Sequence, residues 1–420
     1  MNAITPQPSC ADPFDKEALP VQEALHRILD AVEAVSGYEK LALRSALGRI
    51  LAQAVVSPMA VPAHTNAAVD GYAVRVADAP LTGTVELRVI GTAWAGSSFS
   101  GRVEAGEAVR IMTGAVVPPG ADSIVMQEHA ERDGDWVRIG PGPKSRQNIR
   151  LAGEDLAAGM AVLEEGRRLS PADLGLLASL GITELRVRRR LRVAFFSTGD
   201  ELRSLGEILA EGEIYDSNRY TLYGMLQQLG VELLDMGVVR DRREDLAMAI
   251  EEAARHADVI ITSGGVSVGE ADFIKEILAE LGQVNFWKIA MKPGRPLAFG
   301  RIGKSLFFGL PGNPVSVMVT YYEFVQPALR RMMGEAVIDS PRFKVPCATR
   351  LRKKPGRTEF QRGILETQAD GSLMVRGTGD QGSGILRTMS RANCLIVLPH
   401  DGGTIEPGTW VDVQPFHGLM

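Results

Sequence analysis

Cysteine is scarce in this sequence. Cys10, Cys347 and Cys394 stand far apart in 420 residues, which excludes a disulfide framework and a four-cysteine zinc site. A reducing cytosol fits that usage. The six histidines, His26, His64, His129, His256, His400 and His417, show no HExxH spacing, so a metalloprotease-type zinc site is not expected. No apolar run approaches the roughly 18–20 residues of a membrane span. The N-terminal MNAITPQPSCADPFDKEALP lacks a basic stretch followed by an apolar one, and residues 1–17 read as a flexible tail rather than a signal peptide. Excess basic charge is also missing. The 46 Lys+Arg against 51 Asp+Glu leave a net charge of −5, unlike a nucleic-acid coat protein, while a local basic pocket for a small anion remains open. What is left is an ordinary globular composition, 45% hydrophobic and 23% charged, long enough for about three domains.

Glycine is abundant instead: 45 residues, about 11% against a usual ~7%. They punctuate short apolar runs rather than forming a linker, as turns do in a mixed α and β chain. Val21, Leu25, Ile28, Leu29 and Val32 share one helical face. A second helix is expected near Leu41 to Ala54. From about Ser57 to Asp155 the runs become short and β-like, such as Val85–Ile90 and Ala108–Met112, which predicts an inserted mostly-β unit. Pro171–Leu180 returns to helical spacing and Leu185–Val187 to strand. From Arg192 onward short apolar strands alternate with amphipathic helices, with strands at Val193–Phe196, Val231–Val239, Val259–Ile261, near Phe286–Ala290 and at Leu306–Leu310. That alternation predicts a doubly wound, mostly parallel sheet covered on both faces. After Asp339 the helical period stops. Alternation through Val413, with turns at Pro355-Gly356, Asp370-Gly371 and Asp401-Gly402-Gly403, predicts a small C-terminal β-barrel or sandwich.

Ligands of a doubly wound sheet bind beyond the carboxyl ends of its strands, and three unusual loops fall there. Ser197-Thr198-Gly199-Asp200-Glu201 follows the first strand. Thr262-Ser263-Gly264-Gly265-Val266-Ser267-Val268-Gly269-Glu270-Ala271-Asp272 follows the third and precedes a helix, where unpaired backbone N–H groups and glycines can cradle a phosphate. Asp272 caps that helix or holds a divalent cation over the phosphates; both readings stand. The third loop, Leu310-Pro311-Gly312-Asn313-Pro314, has a plain capping explanation for Asn313 and Pro314, but not for Pro311-Gly312. Lys288, Lys292 and Arg295, within WKIAMKPGRP, form either an oxyanion site or a solvated basic face. Asp241 reads as a helix N-cap, Asp200 and Glu201 as first-turn acids, Asp70 as a turn aspartate and Thr113 as a strand-end hydroxyl. Gly377, Gly379 and Gly382 spell GxGxxG, but lie in the β-rich tail without strand–helix context and do not indicate a dinucleotide site. Gly303-Lys304-Ser305 has a P-loop ending without its first glycine and reads as a turn between strands.

Taken together, STGDEL, TSGGVSVGEAD, KPGRP and LPGNP, in that order, resemble the molybdopterin molybdenumtransferase family (MoeA and the E domain of gephyrin). VDGYAVR (Val69–Arg75), IMTGA (Ile111–Ala115), VMQE (Val125–Glu128), RQNIRLAGED (Arg146–Asp155) and EFQRG (Glu359–Gly363) extend the resemblance along nearly the whole chain. One run departs from it: Thr65 stands where the family commonly has an aspartate and Ala67 where it has a serine, while Asp70 is kept. The resemblance implies an α/β multidomain fold. Its parts would be a linking domain from 38–56 and 158–190, an inserted β domain over 57–157, an α/β catalytic domain from 18–37 and 191–338, and a C-terminal β-barrel over 339–420.

The resemblance also implies a reaction: Mg2+-dependent cleavage of adenylated molybdopterin, with insertion of molybdate into the dithiolene and release of AMP. Asp70, Thr113, Asp155, Glu201, Asp241, Asp272, Lys288 and Lys292 match its catalytic positions, with Asp272 and then Asp241 as the Mg2+ ligands. Ser263, Gly264, Gly265, Ser267, Pro311, Gly312 and Asn313 would line the nucleotide part. Lys292, Arg295, Ser316, Arg362 and Ser383 would hold molybdate. A cytoplasmic homodimer with active sites near the subunit interface is implied. So are a molybdopterin adenylyltransferase upstream and molybdoenzymes or cofactor carriers downstream, without nucleic-acid or membrane partners. A molybdopterin adenylyltransferase, a CinA-like nucleotide pyrophosphatase and a non-catalytic scaffold are the competing readings.

Overall fold

The short apolar strands in the middle of the chain pair into one six-stranded sheet in the computed structural model, which describes residues 18–265, 272–336 and 340–416, without the side chains of 272–275. Its strands are β1 (Arg192–Thr198), β2 (Glu232–Val239), β3 (Val259–Ser263), β4 (Gly282–Lys288), β5 (Pro296–Ile302) and β6 (Ser305–Leu310), in the order 2-1-3-6-5-4. β2, β1, β3 and β6 run parallel. The far edge differs from the expected parallel pattern: β5 is antiparallel to β6, and β4 to β5. The reason is local. Ile302 pairs with Ser305 across Gly303-Lys304, a two-residue turn too short for a helical crossover, and Gly303 supplies the positive φ of 58°.

Central strands of such a sheet are buried on both faces, and β1 shows it. Val193 and Phe195 join one core with Val21, Ala24 and Ile28 of α1 (Val21–Asp30) and Leu222 and Leu226 of α2 (Ser217–Leu229). Ala194 and Phe196 join the opposite core with Leu246 and Ile250 of α3 (Arg243–His256) and Ile277 and Leu278 of α4 (Asp272–Leu281). Each fully buried side chain of this size stabilises by about 1.5–3 kcal/mol. α5 (Pro314–Thr320) continues through a π-turn, Tyr321–Val325, into Gln326–Met332.

The helix expected near Leu41 to Ala54 is absent. Tyr38–Ala42 is a strand, antiparallel to Glu184–Arg188, and a 3-10 turn follows at Leu43–Ala46. Gly48 takes φ 71°, and the Leu51 amide bonds to the Arg167 carbonyl instead of to its own chain segment. The apolar spacing serves a small core of Ala46, Leu51, Leu169, Leu177 and Leu185. The helix at Pro171–Ser179 forms as expected, under a reciprocal Ser170–Asp173 cap. Between these segments lies a second six-stranded sheet. Its strand Gly71–Val74 sends Ala73 to one apolar cluster and Tyr72 and Val74 to the other.

After 340 the strands Phe343–Pro346, Thr358–Thr367, Leu373–Gly377, Cys394–Leu398 and Trp410–Pro415 form a third sheet. Its two ends meet where Cys347 bridges Val375. Cys347 and Cys394 are free thiols buried in its core.

Paired charges mark the junctions between these units. Glu335 accepts from both Arg168 and Arg330. Arg189 grips Asp258 at the foot of β3 through two bonds of 2.8 Å, and the Arg192 amide donates to the same carboxylate. Burial raises the Asp258 pKa, but these donors outweigh it and hold the carboxyl below the ordinary aspartate value. A carboxyl lowered in this way stabilises the fold above its unfolded pKa, and that contribution disappears as pH falls through the folded value. Arg189→Ala should therefore cost about 1–3 kcal/mol at neutral pH. The gap between its denaturation midpoint and that of wild type should narrow steadily as pH falls below about 4. A gap that stays constant as the pH falls from 7 into the acid range would place the effect elsewhere.

Candidate active site

The parallel half of the sheet ends in one wide cleft of about 1610 Å³. Thr198, Gly199 and Glu201 enter it from the end of β1, Ser263 to Gly265 from β3, and Pro311 to Pro314 from β6. The three loops meet through glycine. Gly264 has φ 99°, and a Cβ on it would strike the Thr198 carbonyl oxygen. Its amide donates to the Leu310 carbonyl at 3.1 Å. Backbone thus packs on backbone along the rim, leaving polar main-chain groups next to the cavity.

Asp200, Glu201 and Asp241 are not helix caps. Asp241 precedes the N-cap of α3, which is Arg242; its carboxylate accepts from the Thr198 hydroxyl, and its amide donates to Asp200 at 3.3 Å. Asp200 and Glu201 lead into a two-residue strand, Leu202–Arg203, rather than a helix. Asn313 occupies the N-cap of α5, yet its side chain makes no capping bond.

Lys292, Arg295, Ser316 and Ser383 also line the cleft. Gly294, between the two cations, takes φ 92°, and a Cβ there would come 2.6 Å from the Thr320 hydroxyl. The facing wall belongs to the C-terminal sheet. Arg350, Arg352, Lys354 and Arg357 contribute from one segment and Gly379 to Gly384 from another. Among the described residues the cleft is therefore lined by six Lys or Arg against Glu201, Asp216, Asp241 and Asp380.

Several expected residues stand elsewhere. Arg362 is 1% exposed and sits behind the wall. Its guanidinium donates to the Thr388 hydroxyl and to the carbonyls of Asp380, Gln381 and Gly382. Burial pushes its pKa down to about 10, so it stays cationic at neutral pH. Lys288 closes β4 away from the lining. Asp70 accepts from the Thr113 hydroxyl at 2.6 Å and amide at 2.7 Å, and these bonds hold its carboxyl below the usual range. Asp70, Thr113 and the exposed Asp155 all belong to the second sheet's unit and do not line this cleft. Ser267 lies outside the described residues, and so does the Asp272 side chain, although Asp272 opens α4.

Sequence reasoning missed Asp216, Ser217 and Asn218, which line the cleft from the start of α2. Of the stretch around the GxGxxG glycines it singled out only Ser383 as a binding residue. That pattern marks no dinucleotide fold, yet its loop forms part of the wall. The signal available was the run of small and polar residues directly before each apolar helix or after each strand.

Glycine at 264 is the most stringent local requirement. Gly264→Ala should reduce stability by about 1–3 kcal/mol, because both the positive φ and the Thr198 contact oppose a methyl group. A thermal midpoint equal to wild type would show that the rim yields more easily than its packing indicates.

Three family models match in succession: the MoeA N-terminal region (domain I and II) over 19–181, a probable molybdopterin binding domain over 194–331, and the MoeA C-terminal region (domain IV) over 344–416. A molybdopterin molybdenumtransferase from Haemophilus influenzae is 43% identical over 96% of this chain and 100% of its own length. Gephyrin from Dictyostelium discoideum is 33% identical over 93% of this chain and 61% of its own length. The crystal structure of a molybdopterin biosynthesis MoeA protein from Pyrococcus horikoshii covers 95% of this chain with a TM-score of 0.84 at 30% identity. With matches of this extent in sequence and in structure, the chain belongs to the MoeA family of molybdopterin molybdenumtransferases.

Proposed function

We propose that the cleft binds adenylated molybdopterin, releases AMP from it and inserts molybdate into the dithiolene. The observation that carries this reading is the opposition of two walls: a glycine-packed rim of three strand ends and a basic face from the C-terminal sheet. Backbone groups at the ends of parallel strands suit a nucleotide phosphate, and clustered guanidinium and ammonium groups suit further oxyanions. Ser263, Gly264, Gly265, Pro311, Gly312 and Asn313 would receive the nucleotide part. Lys292 and Arg295, with Ser316 and Ser383, would receive molybdate as substrate. Arg362 acts through the 380–382 loop that it organises, not from the wall.

Mg2+ fits the donor set. It commonly binds one or two carboxylates and completes its shell with water and phosphate oxygens. Glu201 and Asp241 are carboxylates on the wall, and no cluster of three candidate metal ligands occurs among the described residues. Glu201 and Asp241 would hold the ion together with substrate phosphates, with Asp272 as the further ligand expected from sequence. When bound, it neutralises phosphate charge during cleavage. Lys292 and Arg295 stabilise the remaining negative charge by preorganised electrostatics.

A second copy completes the site in this reading. Asp70, Thr113 and Asp155 lie outside the cleft of their own chain. The exposed apolar side chains of Leu205, Ile208, Ile214 and Tyr215, the last two lining the cleft, offer a surface for a symmetric partner. Substrate chemistry calls for an adenylating enzyme upstream and for molybdoenzymes or carriers downstream. The cytoplasm suits the buried free thiols. No helix among the described residues is long and apolar enough to cross a membrane.

The direct test supplies adenylated molybdopterin to the purified protein, with and without molybdate and Mg2+. AMP release coupled to molybdenum in the pterin product is expected. Release without insertion would instead indicate a hydrolase, ATP consumption with molybdopterin alone an adenylyltransferase, and binding without turnover a scaffold. The shared site has its own test. Asp70→Asn and Lys292→Ala should each be nearly inactive, and mixed dimers of the two should recover up to about a quarter of wild-type activity, since half the dimers would carry one intact site. No recovery on mixing would mean that each site is built from a single chain.

A further inference from the structure

The three rim loops emerge from β1, β3 and β6, which are neighbours in the sheet. Adjacent strands lie about 4.8 Å apart, and beyond their ends the Gly264 amide donates to the Leu310 carbonyl and the Ser263 hydroxyl to the Pro311 carbonyl at 3.5 Å. Gly264 and Gly312 have no side chains to add to these links. The first turn of α2 spans the gap. Asp216 caps the helix through the Arg219 amide at 3.1 Å and accepts from Ser197 of β1 at 3.0 Å. Two residues on, the Asn218 Nδ2 donates to the Ser263 hydroxyl at 2.9 Å and to the Gly312 carbonyl at 2.7 Å. One turn of helix therefore ties all three strand ends together.

The side-chain chemistry at 218 is specific. The Gly312 carbonyl can only accept, so the donor end of the amide must face it. A single NH2 group has two hydrogens, and both are engaged here by acceptors from different loops. Aspartate has the same shape but no hydrogen to give; its carboxylate would confront the Gly312 carbonyl. The Asn218 Oδ1 is buried and has no hydrogen-bond partner among the described residues, so the residue is retained at some cost to polar satisfaction.

We propose that Asn218 is a positioning residue for nucleotide recognition, setting the separation of Ser263 and Gly312 across which the AMP part of the substrate binds. This rests on the function proposed above. Its side chain acts on the rim and takes no part in bond cleavage. Loss of the clasp lets two loops drift apart, and the pieces that suffer are those contacting the nucleotide. Molybdate, assigned above to Lys292 and Arg295, is unaffected.

The test titrates AMP with Mg2+ into the full-length wild type, Asn218→Ala and Asn218→Asp by calorimetry. It is paired with KM for adenylated molybdopterin and for molybdate. AMP affinity should fall about tenfold or more in both variants, KM for the adenylated substrate should rise in parallel, and KM for molybdate should stay within about twofold of wild type. A purely structural effect would lower kcat through the folded fraction and leave both KM values in place; that pattern, or AMP affinity within about twofold of wild type, overturns the proposal. Should Asn218→Ala not fold, the isosteric Asn218→Asp gives the same comparison. Failure of the wild type itself to bind AMP would sink the nucleotide reading before any variant is considered, and this inference with it.

Discussion

The cleft has two walls because of a very short piece of strand pairing. Met291 pairs with Thr358 and Lys292 with Glu359 in parallel register, and the Thr358 amide donates to the Ala290 carbonyl at 2.9 Å. This joins the C-terminal sheet to the segment between β4 and β5. The same long strand, Thr358–Thr367, then supplies Gln361 to the wall and Arg362 to the loop behind it. Glu359 is buried, accepts from Gln361 at 3.0 Å and lies 3.8 Å from the Lys292 ammonium. A second stitch runs from the Val315 amide of α5 to the Ser383 carbonyl. Sequence distance is irrelevant to such a joint: it brings residues near 291, 315, 359 and 383 to one surface.

The joint also shapes the electrostatics. Arg362 is held by carbonyls and a hydroxyl, and Lys353 by the carbonyls of Lys354, His400 and Gly402. Neither forms an ion pair among the described residues. Carbonyl dipoles solvate a cation without cancelling its charge, so the field of a buried cation held this way extends into the adjoining cavity more strongly than that of a screened surface charge. Burial lowers both pKa values, and for Arg362 the result still leaves the group charged at neutral pH. A chain with net charge −5 can present a basic cleft for this reason. Local arrangement, not the overall balance, determines the potential at the site.

Much of this was legible in the sequence where local chemistry decides the outcome. The alternation after Arg192 revealed the strands and helices of the central sheet, because buried parallel strands and amphipathic helices have distinct apolar periods. Loops at strand ends pointed to the rim. The Leu41 to Ala54 region was misread because its apolar spacing suits helix, while its backbone partners lie more than a hundred residues away at 167–169 and 184–188. Gly303-Lys304 was legible as a turn between strands; that it makes β5 and β6 antiparallel follows from its being too short for a helical crossover. Arg362 had the right composition for an anion ligand, but only the fold shows that four of its bonds face inward. Asn218 was hidden for the opposite reason: Asp-Ser-Asn before a helix is ordinary capping sequence, and its reach to two distant loops is a tertiary fact.

A rim of backbone groups favours a phosphate without specifying its fate. It stabilises negative charge on a phosphoryl group whether an adenylyl bond is being formed with loss of pyrophosphate or cleaved with release of AMP. Discrimination between an adenylyltransferase and an insertase must therefore come from what stands opposite the rim. In this chain that is the basic segment 350–357 and the glycine-rich loop 377–384, both fixed by the strand that pairs with Met291 and Lys292. The nucleotide end of the site can belong to the doubly wound sheet alone. In the proposed reading the part that selects a second oxyanion requires the C-terminal sheet, which is placed by this pairing together with the Val315–Ser383 bond and the packing of Phe360, Met389, Leu395 and Val397 into the central core.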